Sequence, residues 1–554
     1  MKQRLTPLCT VVALVACLAQ PVHAQVAFTL ADSLLSSAGF NSAPGCVVDM
    51  NNDYLDDIVR IVNDELCVEI QVPDSAGFRH KTYMPPASIG LWSIAAGDVN
   101  NNGYTDILLG GGQAVEFLTY DQATKNYLSN ALPEYIFSQR STFADIDNDG
   151  WLDAFVCHDV DGNHPYHNDG MGNMSLDFDL IETVNLPGNY SALWTDYDND
   201  EDLDLYVTKC YGGSVSGDPE RTNALYQNDG LGNYTNVAQA AGMDDNDQSW
   251  STVFQDFDND GDFDAFTVNH EFANRFMRNN GDGTFTNIIA TTGINEFDLG
   301  AWENVTADFD NDGYVDILSE LTNELYLNNG DLTFTGYPLP FDEGGIGDFN
   351  NDGFVDVFDG NNLYLNNGNA NNYLTVELEG TASNRSAIGA RVELYGPWGT
   401  QMREVRAGTS FSTMGSLNSY FGLGTQTMVD SMMVRWPSGI VQWRFDVAAN
   451  QAIHIVEGTD PAPSAISEWK GFDGMSLFPN PATHRVTVQL DAAVAETGST
   501  EVFIYDVAGA VVAQERQSAA NTITLDIDKL PAGPYLVQVK TGNQPVYTNR
   551  LMVK

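Results

Sequence analysis

Seven stretches of this 554-residue chain place oxygen-bearing side chains at positions 1, 3, 5 and 9 of a nine-residue segment. In chain order they are Asp49, Asn51, Asp53 and Asp57; Asp98, Asn100, Asn102 and Asp106; Asp145, Asp147, Asp149 and Asp153; Asp196, Asp198, Asp200 and Asp204. The last three are Asp256, Asp258, Asp260 and Asp264; Asp308, Asp310, Asp312 and Asp316; and Asp348, Asn350, Asp352 and Asp356. Carboxylates this close repel one another and gain nothing from packing, so the pattern asks for a counter-charge. A hard cation supplies it: Ca²⁺ takes six to eight oxygens, whereas zinc and copper favour His and Cys. The four side chains would converge on the ion with the carbonyl of position 7, and Gly at position 6 permits the sharp turn. An EF-hand would need Glu at position 12 and flanking helices. The twelfth residues here include Val156 and Ser319, between β-branched and aromatic flanks. The prediction is up to seven structural Ca²⁺ sites between strands, with some copies serving as metal-free Asx-turns. The copy at Asp98, with two Asn, is expected to be the weakest.

The flanks say what positions these loops. A short strand runs into each loop, as in Trp302 to Ala307, and a second leaves it, as in Asp316 to Ser319. A third follows, such as Leu325 to Asn328, then a tight turn: Asn168-Asp-Gly170, Asn228-Asp-Gly230, Asn279-Asn-Gly281, Asn328-Asn-Gly330 and Asn366-Asn-Gly368. Such Asn and Gly pairs supply the positive φ of hairpin turns. Four-strand units recurring at this spacing predict an all-β fold, a seven-bladed β-propeller followed by a small β-module and a C-terminal β-sandwich. Trp194, Trp250 and Trp302 precede their loops and are read as blade core.

The segment Gly97-Asp98-Val-Asn100-Asn-Asn102-Gly103-Tyr-Thr-Asp106-Ile-Leu closely resembles FG-GAP/VCBS repeats, the integrin-α type of propeller. That resemblance covers 25–370, after a signal peptide at 1–24, and implies that the loops share one face of the disc. A different module spans 371–457. Its segments Ser383-Asn384-Arg385, Arg406-Ala-Gly408, Phe421-Gly-Leu-Gly424 and Val434-Arg-Trp-Pro-Ser-Gly439 resemble the ASPIC/UnbV module of the cartilage acidic protein family. After a linker at 458–470, the segment 471–554 carries Phe478-Pro-Asn-Pro-Ala482, Val502 to Gly509, Leu530-Pro-Ala-Gly533 and a terminal Leu551 to Lys554. These are similar to the C-terminal sorting domain of type IX secretion. The resemblance implies a tail read by the secretion machinery and export across both membranes of a Gram-negative cell, to be secreted or held at the outer surface.

Composition agrees. The 76 acidic and 24 basic residues give a formal charge of −52, a field that repels phosphate backbones and excludes nucleic acid as a partner. Lys2 and Arg4, an apolar stretch to Ala19, and Val22-His-Ala24 read as a signal peptide cut after Ala24. Leu14-Val-Ala-Cys17 is a competing lipoprotein-type site, against which the sorting tail argues. No other apolar run approaches the ~18 residues that span a bilayer. Cys46, Cys67, Cys157 and Cys210 remain after export; disulfides are the default there, with Cys157–Cys210 favoured.

No nucleophile elbow, HExxH, P-loop or dinucleotide fingerprint occurs. The expectation is a non-enzymatic protein that binds or adheres to an extracellular glycan or protein; the alternative is a calcium-dependent polysaccharide lyase-like enzyme on the same scaffold. The candidate contact surface is the face opposite the loops, where His158 to His167, Lys209 to Thr222, and His270 with Glu271 lie on neighbouring blades.

Overall fold

A computed structural model describes residues 26–35, 45–459 and 475–553. The breaks are at 63–64, 74–76, 84–85, 298–301, 303, 321–322, 342–343, 410, 479–481, 483, 491–498, 506–510, 519–521, 528, 531–532 and 542–546. The signal peptide, most of the linker and the landmarks Pro479-Asn-Pro481, Asp506 to Gly509 and Pro531-Ala532 lie outside the described residues. The chain forms two units, 1–459 and 460–554.

Among the described residues of the first unit, seven sheets carry one Asp loop each, always between the first and second strand, which pair antiparallel. Numbered by their loops, sheet 3 runs Ser138–Ala144, Asp153–His158, His164–Asn168 and Met174–Leu176, and sheets 1, 2 and 4 to 6 repeat that order. Sheet 7 is Gly345–Gly347, Asp356–Phe358 and Leu363–Asn366, completed by the N-terminal strand Phe28–Leu30, whose Phe28 pairs with Asn366. First strands of sheets 7, 1, 2, 3, 4, 5 and 6 touch in that order. Phe309 with Val355 and Val357 closes the gap between sheets 6 and 7. The result is a β-propeller with its first strands around a central channel.

Two devices hold neighbouring sheets together. Apolar residues of facing sheets interdigitate, as Val253, Phe266 and Phe276 of sheet 5 do with Ile317 and Tyr326 of sheet 6. In sheets 3, 5, 6 and 7 the asparagine that opens the third-strand turn also reaches sideways. Asn328 Nδ2 donates to Phe257 O of the preceding sheet at 2.7 Å and to Val315 O of its own at 3.0 Å. Asn168, Asn279 and Asn366 repeat this with Val99 O, Tyr197 O and Phe309 O. In sheet 4 the Tyr234 hydroxyl substitutes, donating to Ile146 O at 3.1 Å. Buried carbonyls gain partners this way, which saves the cost of leaving them unsatisfied.

Residues 372–456 form two further sheets. One places Asn372–Glu379 between Ser419–Gly424 and Gln451–Val456; the other orders Gly399–Glu404, Arg391–Gly396, Met428–Arg435 and Val441–Ala448. This module is continuous with the propeller: Ile388, Met414, Phe421 and Trp436 share one apolar cluster with Ile94, Val99 and Phe143. Its residues 405–409 and 411–416 enter the channel. Ala407 bridges Phe143, and Thr413–Met414 pairs in parallel with the first strand of sheet 1. Arg406 donates to Phe254 O at 2.6 Å and to Thr195 Oγ1 at 2.8 Å. Gly408 has φ +75°, and a Cβ there would lie 2.1 Å from Ser141 O, so the close approach requires glycine.

In the second unit, Met475–Phe478, Arg485–Leu490 and Thr522–Asp526 form one sheet; Val511–Ser518, Ser499–Tyr505, Gly533–Thr541 and Tyr547–Val553 form the other. Val486, Val488, Val502, Ile504, Val537 and Val539 make a shared core, a small β-sandwich.

The expected disulfides are corrected: all four cysteines are free and buried. Cys46 lies opposite Val59 and Cys67 opposite Arg60, its neighbour, so the period-2 pleat sends the two thiols to opposite faces of sheet 1. Cys157 sits in the core between sheets 3 and 4, whereas Cys210 Sγ accepts from Trp250 Nε1 of sheet 5 at 3.2 Å. Burial pushes the Cys157 thiol up to about 12 and the Cys210 thiol up to about 11.

Two outcomes follow. Asn328→Ala orphans Phe257 O and Val315 O and should cost about 2 kcal/mol, read as a lower denaturant midpoint. Gly408→Ala should destabilise by more than ~1 kcal/mol and open 405–416 to limited proteolysis; an unchanged digestion pattern would show that the segment does not need its tight seat.

Candidate metal centres and the module that covers them

Each Asp loop is built the same way. The first Asp accepts N–H groups across the loop. In sheet 6, Asp308 Oδ1 takes Asp312 N–H at 3.1 Å and Oδ2 takes Gly313 N–H at 2.8 Å; Asp49, Asp98, Asp145, Asp196, Asp256 and Asp348 do likewise. The ninth Asp ties the loop to the sheet. Asp316 Oδ2 accepts from Phe309 N–H at 2.9 Å and Oδ1 from Asn328 N–H, on the third strand, at 2.8 Å. Asp57, Asp106, Asp153, Asp204 and Asp356 make the same pair. Position 9 thus has a backbone role that the spacing alone did not reveal.

A second feature escaped the pattern. Position 4 is Asn in all seven copies, and Asn52, Asn101, Asn148, Asn199, Asn259, Asn311 and Asn351 all have φ between +51° and +64°. Asn tolerates this left-handed region better than other side chains. Position 6 is left-handed too, and Tyr54 (φ +65°) and Glu201 (φ +79°) occupy it where five copies have Gly.

The oxygens left over converge. Ligand atoms of Asp196, Asp198, Asp200 and Asp204 lie within 4.8 Å of one another, as do those of Asp256, Asp258 and Asp260, and of Asp308, Asp310 and Asp316. Asp147 and Asp149 gather with His167, whose Nε2 is 3.4 Å from Asp147 Oδ2. Loops 1, 2 and 7, in which Asn replaces Asp at one or more positions, bring fewer carboxylates together. Asp198 Oδ1, Asp258 Oδ1 and Asp264 Oδ2 are buried with no hydrogen-bond partner. Such atoms fit an oxygen-seeking cation and no protein donor reaches them. Burial, then neighbouring Asp260, raises Asp256 to about 8; burial raises Asp145 to about 7, Asp153 to about 8 and Asp204 to about 9. Loops of this kind demand a proton or a cation.

The loop face is not open. At position 6 every sheet but the fifth meets the 372–456 module. Tyr54 Oη donates to Glu379 Oε2 at 2.6 Å and its ring packs 4.0 Å from that of His454; Glu201 pairs with Arg435. A Cβ on Gly353 would lie 2.2 Å from the Tyr373 ring, and one on Gly313 3.0 Å from Gln401 Nε2. The two departures from Gly are therefore docking contacts. Module arginines approach the first aspartates: Arg391 Nη2 is 3.0 Å from Asp196 Oδ2, and Arg385 Nε is 3.7 Å from Asp98 Oδ2. Arg403 opposes the burial-driven rise of both Asp256 and Asp308.

On the opposite face the expected histidine group divides. His158 and His164 are buried with ring centroids 5.3 Å apart, and burial lowers His158 to about 4. His167 is corrected to the loop face, because the third strand His164–Asn168 crosses the whole sheet. Lys209 is buried, donating to Asn189 Oδ1 at 2.8 Å and Pro187 O at 3.0 Å. Of the tryptophans, Trp194 is core, donating to Thr142 Oγ1, and Trp250 is half-buried. Trp302 is corrected: it is 43% exposed and lies outside the described first strand of sheet 6, Asn304–Ala307.

Family models match in three places. Residues 196–267 and 256–319 match an FG-GAP-like repeat, 380–462 match "ASPIC and UnbV", and 476–554 match a secretion system C-terminal sorting domain. No curated protein matches the chain. Similar solved structures include the extracellular domain of a putative hybrid two component system from B. thetaiotaomicron, at 10% identity and TM-score 0.37 over 96% of this chain and 58% of that one. This chain thus spans less than two thirds of that structure's length. The V. cholerae biofilm matrix protein Bap1 matches at 12% identity and TM-score 0.31, over 96% of this chain and 85% of that one. The Dos1 propeller matches at 8% identity and TM-score 0.37, over 60% and 82%. Among the described residues no helix is long and apolar enough to cross a membrane. The chain joins an FG-GAP-like β-propeller, an ASPIC/UnbV module and a type IX C-terminal sorting domain in one polypeptide exported to the cell surface or beyond.

Proposed function

We propose that this is a calcium-stabilised, non-enzymatic binding protein that presents the propeller face opposite the Asp loops to an extracellular glycan or protein. The observation that carries this reading is the coverage of the loop face by the ASPIC/UnbV module, which leaves the other face, with its long connections, for a partner. Calcium fits the buried, donor-less oxygens of Asp198, Asp258 and Asp264. With ~1 mM calcium and Kd of ~0.1 mM, each site adds roughly 1.4 kcal/mol by mass action. Seven would add about 10 kcal/mol, comparable with a domain's whole net stability. A glycan and protein array, run with and without calcium, tests the reading. Saturable binding is expected; new reducing or unsaturated ends on a polysaccharide panel would replace it with an enzymatic one.

Removing calcium should lower the melting temperature by several degrees or more, and an unchanged value would exclude a structural cation. The pH dependence has a definite sign. Acids whose folded pKa lies above the unfolded ~3.8 favour folding while protonated. For Asp145, Asp153, Asp204 and Asp256 that stability is fully present below pH ~4 and is lost as pH rises toward 7 to 9. Cation binding runs the other way, since it needs the ionised form. Calcium-stripped protein should therefore melt lower at pH 8 than at pH 5, with a calcium-induced shift larger at pH 8. A shift independent of pH would count against these carboxylates as ligands.

A further inference from the structure

In four sheets an aromatic residue stands six positions before the loop aspartate: Trp92, Tyr190 and Trp250 on their first strands, and Trp302 ahead of its own. Six residues of strand put Trp92, Tyr190 and Trp250 roughly 20 Å from the loops, at the other end of the channel. There they converge. Sheets 2 and 6 are not neighbours, yet the ring centroids of Trp92 and Trp302 are 5.3 Å apart, and Trp302 is 5.9 Å from Trp250. Trp250 stacks on Tyr190 at 6.2 Å and on His270 at 4.5 Å. Phe411, on the module segment that enters the channel, lies 6.2 Å from Tyr190 and gives the cluster a floor. Sheet 3 places Gln139 at the same position; its amide accepts from Trp92 Nε1 at 3.1 Å and donates to Asp159 Oδ2 at 3.0 Å.

Core packing does not account for this arrangement. Trp194, two residues from its loop, is 5% exposed, while Trp302 is 43% exposed and Trp92, Tyr190 and Trp250 are half-buried. An indole held in water at a channel mouth, packed against Trp92 and Trp250, is a preformed flat apolar surface.

We propose that this cluster is a carbohydrate platform that takes an uncharged, gluco-configured saccharide, stacked on Trp302, with Asp159, held by the buried Gln139, and His270 meeting its hydroxyls. The proposal rests on the glycan arm of the function proposed above. A pyranose with equatorial hydroxyls exposes a flat face of axial C–H groups, which matches one indole face. Its in-plane hydroxyls need planar donors and acceptors at the perimeter, which a carboxylate and an imidazole provide. Charge narrows the class. The chain carries −52, and Asp159, Glu271 and Glu320 belong to connections at this face, so uronates and sulfated sugars are repelled. Ring spacings of 4.5–6.2 Å are those of directly packed aromatics. They leave no slot for a partner's side chain, which favours stacking on the outer ring over insertion of a peptide.

The test uses the mature protein in saturating calcium, titrated with β-1,4-linked hexasaccharides of glucose and of N-acetylglucosamine, followed by tryptophan fluorescence and calorimetry. At least one should bind saturably, and hexagalacturonate should not. Trp302→Ala should weaken binding at least ~10-fold at an unchanged melting temperature, and Trp302→Phe should stay within about threefold. Binding indifferent to Trp302→Ala would overturn this site and leave a glycan-binding function standing. If neither hexasaccharide binds, the platform is overturned. If a protein ligand from the array is then bound instead, the broader binding function survives with that partner.

Discussion

The constraint on which the structure depends is the burial of like charge at the first hairpin of every sheet. The first and ninth carboxylates are needed as backbone acceptors: one shapes the loop, the other fastens it to the third strand. That puts two acids into each blade edge before any ligand is considered. Further Asp residues at positions 3 and 5 raise the electrostatic cost, and counter-charge must come from outside the loop. The fold supplies part of it as arginine. Arg385, Arg391 and Arg403 all come from the ASPIC/UnbV module and approach the first aspartates of sheets 2, 4, 5 and 6.

Propeller and module are consequently one body. The module lies across the loop face, shares an apolar cluster with sheets 1 to 3, and pairs Ala407 and Thr413–Met414 with first strands inside the channel. The loops where Gly is replaced make this explicit. Tyr54 and Glu201 accept a left-handed backbone and use the extra side chain to touch Glu379, His454 and Arg435. Departures from a repeat pattern are, in these two cases, contacts with the neighbouring module.

Much of this was legible in the chain because it is written in spacing. The Asp periodicity and the Asn-Gly turns mark where strands end, and the three sets of landmarks mark the modules. What the spacing hides is what lies sideways or across. Asn168, Asn279, Asn328 and Asn366 read as turn formers, and their inter-sheet bonds become visible only when two sheets are side by side. Position 4 is Asn in every copy, a regularity that serves the left-handed backbone and not the ligating set. The cysteine pairing failed because compartment chemistry says nothing about which face of a strand a thiol occupies. Trp302 and His167 were misplaced by one strand end, enough to move a side chain between core and water or between opposite faces of the disc.

The N-terminal strand Phe28–Leu30 completes sheet 7 against Leu363–Asn366, and Thr29 bonds to Asn367 across 338 positions of sequence. That seam gives the ring a temporal order. Six sheets can assemble from local hairpins, each tied to the one before, but the last strand of the seventh is the first to be made. Closure carries the entropy of the longest loop in the propeller and is set apart from the local steps. A chain threaded through a membrane from its N-terminus holds that strand unpaired until the final blade has emerged. The ring, its channel and the face above it therefore come into being together, in a single late event.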